Sequence, residues 1–538
     1  MVGEALQSAG VAPTVAGAKT KQVERPKETG HGDFASSVAL SVAKMLRQSP
    51  MQVAEQLVAN MTKEVEVVER IEIAKPGFIN LYVNSQCLHR VVNRIEAADR
   101  QYGKSQALVK HRTLVEFVSA NPTGSLNVVS GRAAAVGSAL FKLMREAGAE
   151  VYAEYYVNDV GRQTRLLGSS LAARIRQFRG EAAEVPEDGY QGEEVQALAK
   201  EILGEMKSGE PLDDMALAQH GIAAFLKSQE RDLESFGVIF DRWFREHTLH
   251  EEGAVKACIK RYEEAGALYQ HEGATWLRLT DRGMEKDEVL VRQGGDPTYF
   301  AADIAYHLNK FERGYLEALD FWGPDHHGHI QRLQKALELL GIPSGWLEVR
   351  IVQQVNLISK GEKVKMSKRA GQTVRLSELV KEVGLDAVRY FFLMRSIDSH
   401  LDFDVDLAKK QSEDNPVFYV QYAHARACNI LGHAKEEGVI WTASGVLEGL
   451  DTPEEYQVFR DLDRFPEVIE QAALSRAPSW VTTYLADLAA TFHHFYAKHR
   501  VVSDDQALTQ ARLRLVNAVR ITLQNGLTLL GVSAPERM

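Results

Sequence analysis

Between Arg112 and Gly161 the hydrophobic pattern changes period twice. TLVEFVSA (113–120) is a short, largely apolar run that ends in turn residues. GRAAAVGSALFKLMREAG (131–148) then reads as an Ala-rich helix, and EVYAEYYVNDVG (150–161) as a second strand. Strand, turn, helix and strand in this order make a βαβ unit, the opening of a nucleotide-binding parallel sheet. Phosphates in such a unit sit at the helix N-terminus.

The flanking patterns differ in kind. Before residue 105, helical periodicity over Ser36 to Leu46 and Met51 to Lys63 precedes strand-like EVEVVERIEIA and FINLYV, with His31, Gly32 and Asp33 forming a turn. This predicts a small α+β domain. From about 166 to 285, helical stretches such as EVQALAKEILGEM and AAFLKSQERDLESFG alternate with acidic loops and interrupt the sheet. The sheet pattern resumes at DEVLVRQGG, followed by the helix TYFAADIAYHLNKFERG, strand-like ALDFWGPDHHGH, another helix and LEVRIVQQVNLIS. Beyond Leu376 nearly everything has helical period, which predicts a bundle. The expected fold class is α/β: a Rossmann-type parallel sheet at 106–375 with an insertion near 166–285, an N-terminal α+β domain at 1–105 and an all-α domain at 376–538.

Composition narrows this only slightly. A chain of 538 residues suggests roughly three or four domains, and 45% hydrophobic with 25% charged residues is ordinary for a globular protein. No window approaches the ~18 apolar residues of a membrane helix, and the N-terminal stretch lacks a basic region followed by a compact apolar one. A cytoplasmic protein without membrane partners is expected. Cys87, Cys258 and Cys428 lie too far apart to suggest a disulfide framework or a CxxC zinc site. The net charge of -10 argues against indiscriminate nucleic-acid binding, although a local basic track can still follow a phosphate backbone.

Two short stretches carry cations or metal-type ligands. In GEKVKMSKRAG (361–371), Gly361 and Gly371 bracket Lys363, Lys365, Lys368 and Arg369, a loop able to clamp a polyphosphate or simply to be solvated. GPDHHGH (323–329) crowds three histidines and an aspartate on one loop, a weak ligand signal because tetrahedral sites draw on separated pairs. No structural metal is expected.

KMSKR, NPTG at a strand-helix turn and the final SAPERM together resemble class I aminoacyl-tRNA synthetases, and within them the arginyl-tRNA synthetase family. The resemblance runs through HGDFASSVAL, KPGFIN, EFVSANPTG, EYYVNDVGRQ, YQGEE, FDRWFRE, TYFAADIAYH, GPDHHGHIQRL, KMSKRAG and NPVFYVQYAHAR. It implies a monomer that uses arginine, ATP with Mg2+ and tRNA(Arg), forming arginyl-adenylate and then transferring the arginyl group to the tRNA. The resemblance places arginine contacts at Glu116, Asn121, Tyr299, Asp303 and His326. A guanidinium demands planar carboxylate partners, and Tyr299 and Asp303, four apart, share a helical face. ATP contacts would fall on Gly124, Val129, Gly323, Asp325, Met366 and Ser367, with Lys363, Lys365, Lys368, Asn127 and Ser130 in catalytic positions. The C-terminal bundle would bind the anticodon through Tyr422, Arg426 and Met538, where an aromatic and an arginine one turn apart suit single-stranded RNA. Phe78 and Asn80 would meet the tRNA elbow.

One part of the pattern departs from the family. Where its members carry a histidine, a variable apolar residue, a glycine and a second histidine, this chain has Asn127, Val128, Val129 and Ser130. In the family the histidines contact ATP phosphates and the glycine admits adenine. Asn127 and Ser130 can still cap the helix or donate a hydrogen bond, but valine cannot imitate glycine. The sequence therefore leaves open an active ligase, a weakened or silent relative that binds arginine or tRNA as a sensor, and, less favoured by Tyr299 and Asp303, a synthetase for another amino acid.

Overall fold

The computed structural model describes residues 5–7, 23–26, 29–61, 67–207, 210–324, 327–363, 374–439, 441–442, 447 and 449–538. The N-terminal region forms an antiparallel sheet of β1 (Val23–Glu24), β2 (Phe34–Ser36), β3 (Val68–Ala74) and β4 (Phe78–Val83), in the order β1-β2-β4-β3. Helices α1 (Val38–Leu46) and α2 (Pro50–Asn60) cover it, and Val38, Val42, Val53, Leu57 and Ile79 form a core of their own. A capping box between Ser49 and Gln52, with Pro50 at the first helical position, starts α2. Helix α3 (Ser85–Ala98) leads out of this region.

The expected βαβ unit is present as β5 (Arg112–Glu116), α4 (Val128–Glu146) and β6 (Glu150–Val157). The small residues of α4 allow close packing: a methyl group at Gly137 would collide with the Phe117 ring just beyond β5. The next helices are α5 (Arg162–Phe178), α6 (Glu193–Glu205) and α7 (Asp214–Ser235). They are followed by β7 (Arg242–Arg245), α8 (Glu246–Glu251), α9 (Ala254–Glu264), β8 (Leu268–His271), β9 (Ala274–Leu277) and β10 (Glu288–Val291). After them come α10 (Tyr299–Glu312), β11 (Glu317–Trp322), α11 (His327–Leu339) and β12 (Leu347–Ile351). The parallel sheet has the order β12-β11-β5-β6-β7. DEVLVRQGG therefore does not resume it: β10 pairs antiparallel with β9 in a separate three-stranded sheet, and the parallel sheet regains strands at β7 and β11. A strand's alternation does not reveal its partner.

A small mixed sheet of β13 (Val355–Ser359), β14 (Glu362–Lys363) and β15 (Leu401–Asp404) follows, with α12 (Leu376–Val383) and α13 (Leu385–Leu393) between β14 and β15. Beyond α14 (Val405–Lys409), the chain is a bundle of α15 (Pro416–Glu436), α16 (Pro453–Leu474), α17 (Ser479–Lys498) and α18 (Gln506–Leu530).

Two fully buried guanidiniums staple these parts together. Arg132, on α4, donates to the carbonyls of Gln353 (3.1 Å), Ser396 (2.7 Å) and Ser399 (2.7 Å). Arg389, on α13, donates to Leu530 O at the end of α18 (3.0 Å), Phe236 O after α7 (2.8 Å) and Ser138 Oγ on α4 (2.9 Å). Burial lowers both to about 10, so they remain cations held by carbonyl and hydroxyl oxygens.

Candidate active site

The parallel register sets three acids side by side at the carboxyl end of the sheet: Glu154 on β6 lies opposite Glu116 on β5, which lies opposite Asp320 on β11. All three are buried. Helix α10 supplies their counterions. Lys310 Nζ donates to Glu116 Oε2 (2.5 Å) and to both Asp320 oxygens (2.9 Å each), and Arg313 and Tyr306 donate to Glu154 (2.5 to 2.8 Å). Burial would push Lys310 down and Asp320 up; their mutual contact outweighs it, raising the lysine and lowering the aspartate. The ring nitrogens of His307 lie 2.7 Å from Asp303 O and 2.8 Å from Asp320 Oδ2, joining this row to the first turns of α10.

Glu116, expected among the arginine contacts, has both carboxylate oxygens bonded within the protein. Oε2 accepts from Lys310, and Oε1 accepts from Ser119 Oγ at 2.8 Å. Ser119 Oγ in turn accepts from Tyr156 N at 3.0 Å. These bonds hold a turn in which Val118 and Ser119 both have positive φ (71° and 37°), a rare conformation for a β-branched residue. The turn delivers ANPTG, which Gln229 from α7 grips through Asn121 O (3.0 Å) and Gly124 O (2.8 Å), leaving Asn121 exposed.

The first turns of α10 contrast with this. Thr298 caps the helix, Tyr299 begins it half-exposed, and Asp303 is buried one turn on. Asp303 Oδ2 meets Nε2 of His329, the last histidine of GPDHHGH, at 2.8 Å. Across from it stands Glu246, the buried first residue of α8, which sequence reasoning did not single out although it closes the quoted FDRWFRE. Burial, and next the charge of Asp303, pushes the Glu246 carboxyl up to about 7. The Tyr299 phenol is raised chiefly by the same Asp303 charge. Among the described residues neither Asp303 nor Glu246 pairs with a lysine or arginine; Glu246 has His250 at 3.8 Å and, in its hydrogen-bonded orientation, the Asn158 amide at 3.2 Å. Two mutually repelling carboxylates in a buried wall can be neutralised together by a cation.

The altered signature starts α4. Asn127 is the N-cap, its Oδ1 accepting from Ser130 N at 2.9 Å, while Val128 N donates to Val374 O at 3.1 Å. Two backbone N–H groups at this helix N-terminus, those of Val128 and Ser130, are thus engaged within the chain, and Val129 is partly buried against the core. Glu194 on α6 accepts from Ser125 N (3.0 Å) and Ser125 Oγ (2.5 Å) beside Gly124 and pairs with Arg375 (2.9 Å). Lys363 is exposed on β14, and Gly323 is half-buried just after β11. Lys365, Met366, Ser367, Lys368, Asp325 and His326 lie outside the described residues.

In the bundle, Tyr422 and Arg426 sit one turn apart on α15 and touch: Arg426 donates to Tyr422 Oη (2.9 Å) and His493 Nδ1 (2.8 Å), with its guanidinium carbon 4.6 Å from the Tyr422 ring centre. Burial and the Arg426 charge lower His493 to about 4, leaving it a neutral acceptor. Met538 is exposed. Of the expected elbow contacts, Phe78 is exposed, whereas Asn80, two residues along β4, is buried and offers no open surface.

Comparison with known proteins agrees with this architecture. The arginyl-tRNA synthetase N-terminal domain model matches residues 1–83, the class I (R) tRNA synthetase catalytic domain model residues 91–392, and the DALR anticodon-binding domain model residues 420–538. An arginine–tRNA ligase of Listeria welshimeri is 44% identical over 522 residues, covering 96% of this chain and 94% of its own; that of Moorella thermoacetica is 46% identical over 523 residues, covering 96% and 93%. A crystal structure titled as an arginyl-tRNA synthetase from Campylobacter jejuni superposes with a TM-score of 0.78 at 33% identity, covering 85% of this chain and all of its own. Thermus thermophilus arginyl-tRNA synthetase shares the fold, with a TM-score of 0.76 at 23% identity over all of this chain and 98% of its own. Sheet, bundle and whole-length relatives lead to one assignment: the chain belongs to the class I arginyl-tRNA synthetase family.

Proposed function

We infer that this protein is an arginine–tRNA ligase, which activates arginine with ATP and transfers it to tRNA(Arg). The observation that carries the choice of amino acid is the buried pair Asp303 and Glu246, two carboxylates without a lysine or arginine partner among the described residues. A guanidinium satisfies both at once, with Tyr299, Asn121 and the loop bearing His326 closing around the rest of the substrate. The substrate carboxylate attacks the α-phosphate directly, so the protein's task is to position reactants and to stabilise charge on phosphate oxygens. ATP enters with Mg2+ between the turn at Gly124 and Val129, the loop at Gly323 and Asp325, and the segment carrying Lys363, Lys365, Met366, Ser367 and Lys368. The pair Tyr422 and Arg426, near Met538, reads the anticodon loop, and Phe78 meets the elbow. We place the enzyme in the cytoplasm as a monomer; among the described residues no helix is long and apolar enough to cross a membrane.

Arginine-dependent ATP–pyrophosphate exchange, with and without tRNA, tests the reading. In the triple variant Asn127→His, Val129→Gly, Ser130→His the exchange rate should rise by roughly 10²-fold through recovered phosphate donors. The loss of the Asn127 cap should meanwhile lower stability by about 1 kcal/mol. Arginine and tRNA binding without exchange in either protein would establish the silent relative instead.

A further inference from the structure

Tyr156, near the end of β6, carries a polar atom that the fold leaves unused. The residue is 6% exposed, and among the described residues its hydroxyl has no partner within 3.5 Å; the one group it approaches as a donor is the Glu246 carboxyl, which leaves its oxygen without an N–H to accept. The ring cannot turn away to find one. It lies nearly parallel to Phe244 (centroids 6.1 Å apart, 11°) and packs on Tyr306 (4.4 Å), itself fixed by its bond to Glu154. Its backbone is tied to Ser119, and through it to Glu116 and Lys310. Burial and then the charges of Glu246, Asp303 and Tyr299 raise this phenol, so its oxygen faces the wall of the cation site. Buried hydroxyl oxygens rarely go without a donor, and this one stands beside two carboxylates that have no lysine or arginine partner among the described residues.

We propose that the Tyr156 hydroxyl reads one edge of the substrate guanidinium, accepting an N–H while giving its own hydrogen to Glu246, and so separates arginine from lysine. This rests on the reading that Asp303 and Glu246 hold that group. A guanidinium presents five N–H donors in one plane and needs a wide array of acceptors; an ammonium has three and is satisfied by the carboxylates alone. With lysine bound, the phenol oxygen still has no N–H to accept; with arginine, it has one.

The test measures L-arginine binding to the full-length parent, Tyr156→Phe and Asp303→Asn by calorimetry, with L-lysine as displacing competitor, from pH 6 to 8.5. Tyr156→Phe should weaken arginine about ten- to a hundredfold, leave lysine unchanged and melt no lower than the parent without ligand. It should also move the pH midpoint of arginine binding upward, because Glu246, faced by Asp303, Asp159, Asn158 and His250, loses its hydroxyl donor. Parallel loss of arginine and lysine binding would reduce Tyr156 to a packing role and overturn the proposal. So would an unchanged arginine-to-lysine ratio in Tyr156→Phe while Asp303→Asn weakens binding. Arginine binding unaltered in both variants would overturn the underlying assignment of the site.

Discussion

The two ends of α10 handle buried charge in opposite ways. At its C-terminal end Lys310 and Arg313 neutralise the row of Glu116, Asp320 and Glu154, so every carboxylate has a cation built into the chain. At its N-terminal end Asp303 confronts Glu246, and among the described residues only imidazoles approach them within ion-pair distance. On the proposed reading the same helix divides scaffold from ligand site: acids matched by lysine or arginine hold strands together, and the acids without such a match among the described residues take the substrate's cation.

Breaking the matched end should have the largest effect. Lys310→Met leaves Glu116 and Asp320 buried without their cation and should lower unfolding free energy by about 3 to 5 kcal/mol, measured by urea denaturation. An unchanged midpoint would mean that the row is not held by this lysine. The unmatched end should respond to pH in the reverse sense. Glu246 rises to about 7 in the folded empty protein, so between the ordinary carboxylate range and pH 7 the unfolded chain releases a proton that the folded one keeps. Stability should therefore fall as pH rises through this window, by up to about 3 kcal/mol. Glu246→Gln should flatten that slope in thermal melts from pH 4.5 to 8. Arginine binding should run the other way, strengthening through pH 7 with proton release, visible as a buffer-dependent heat in calorimetry. The smallest change sharpens the contrast: Asp303→Asn should weaken arginine by about 1.5 to 3 kcal/mol while the urea midpoint stays near that of the parent. Calorimetry and denaturation on one preparation distinguish the two ends directly.

Much of the frame was legible before any coordinates. An apolar run, a turn and an Ala-rich helix dictate β5, α4 and β6 because each period is local. DEVLVRQGG was legible as a strand but not as a member of a sheet separate from the parallel one, since pairing is decided by the partner strand. Of the candidate site, the placement of Tyr299 and Asp303 one turn apart on a helix was legible, because motif and helix period coincide there. It was illegible where chemistry depends on a distant partner. Nothing around Glu116 announces Lys310, 194 positions on, and Glu246 or Tyr156 taken alone looks like an exposed helix acid and a packed aromatic. Asn127 was legible as a departure from the family; that it caps its own helix and engages the Ser130 amide came only from the geometry.

The Arg389 junction bears on how such a chain can be recombined. One guanidinium draws on α4, on the chain just past α7 and on the last turn of α18, and any side chain at Gly531 would run into it while also requiring a left-handed backbone. A bundle grafted from a relative at a seam near residue 410 would have to bring a helix end and a glycine in register with a pocket formed by two other segments. The anticodon module is therefore separable on paper, as a stretch of sequence, but inherited together with the sheet to which its final helix is bolted.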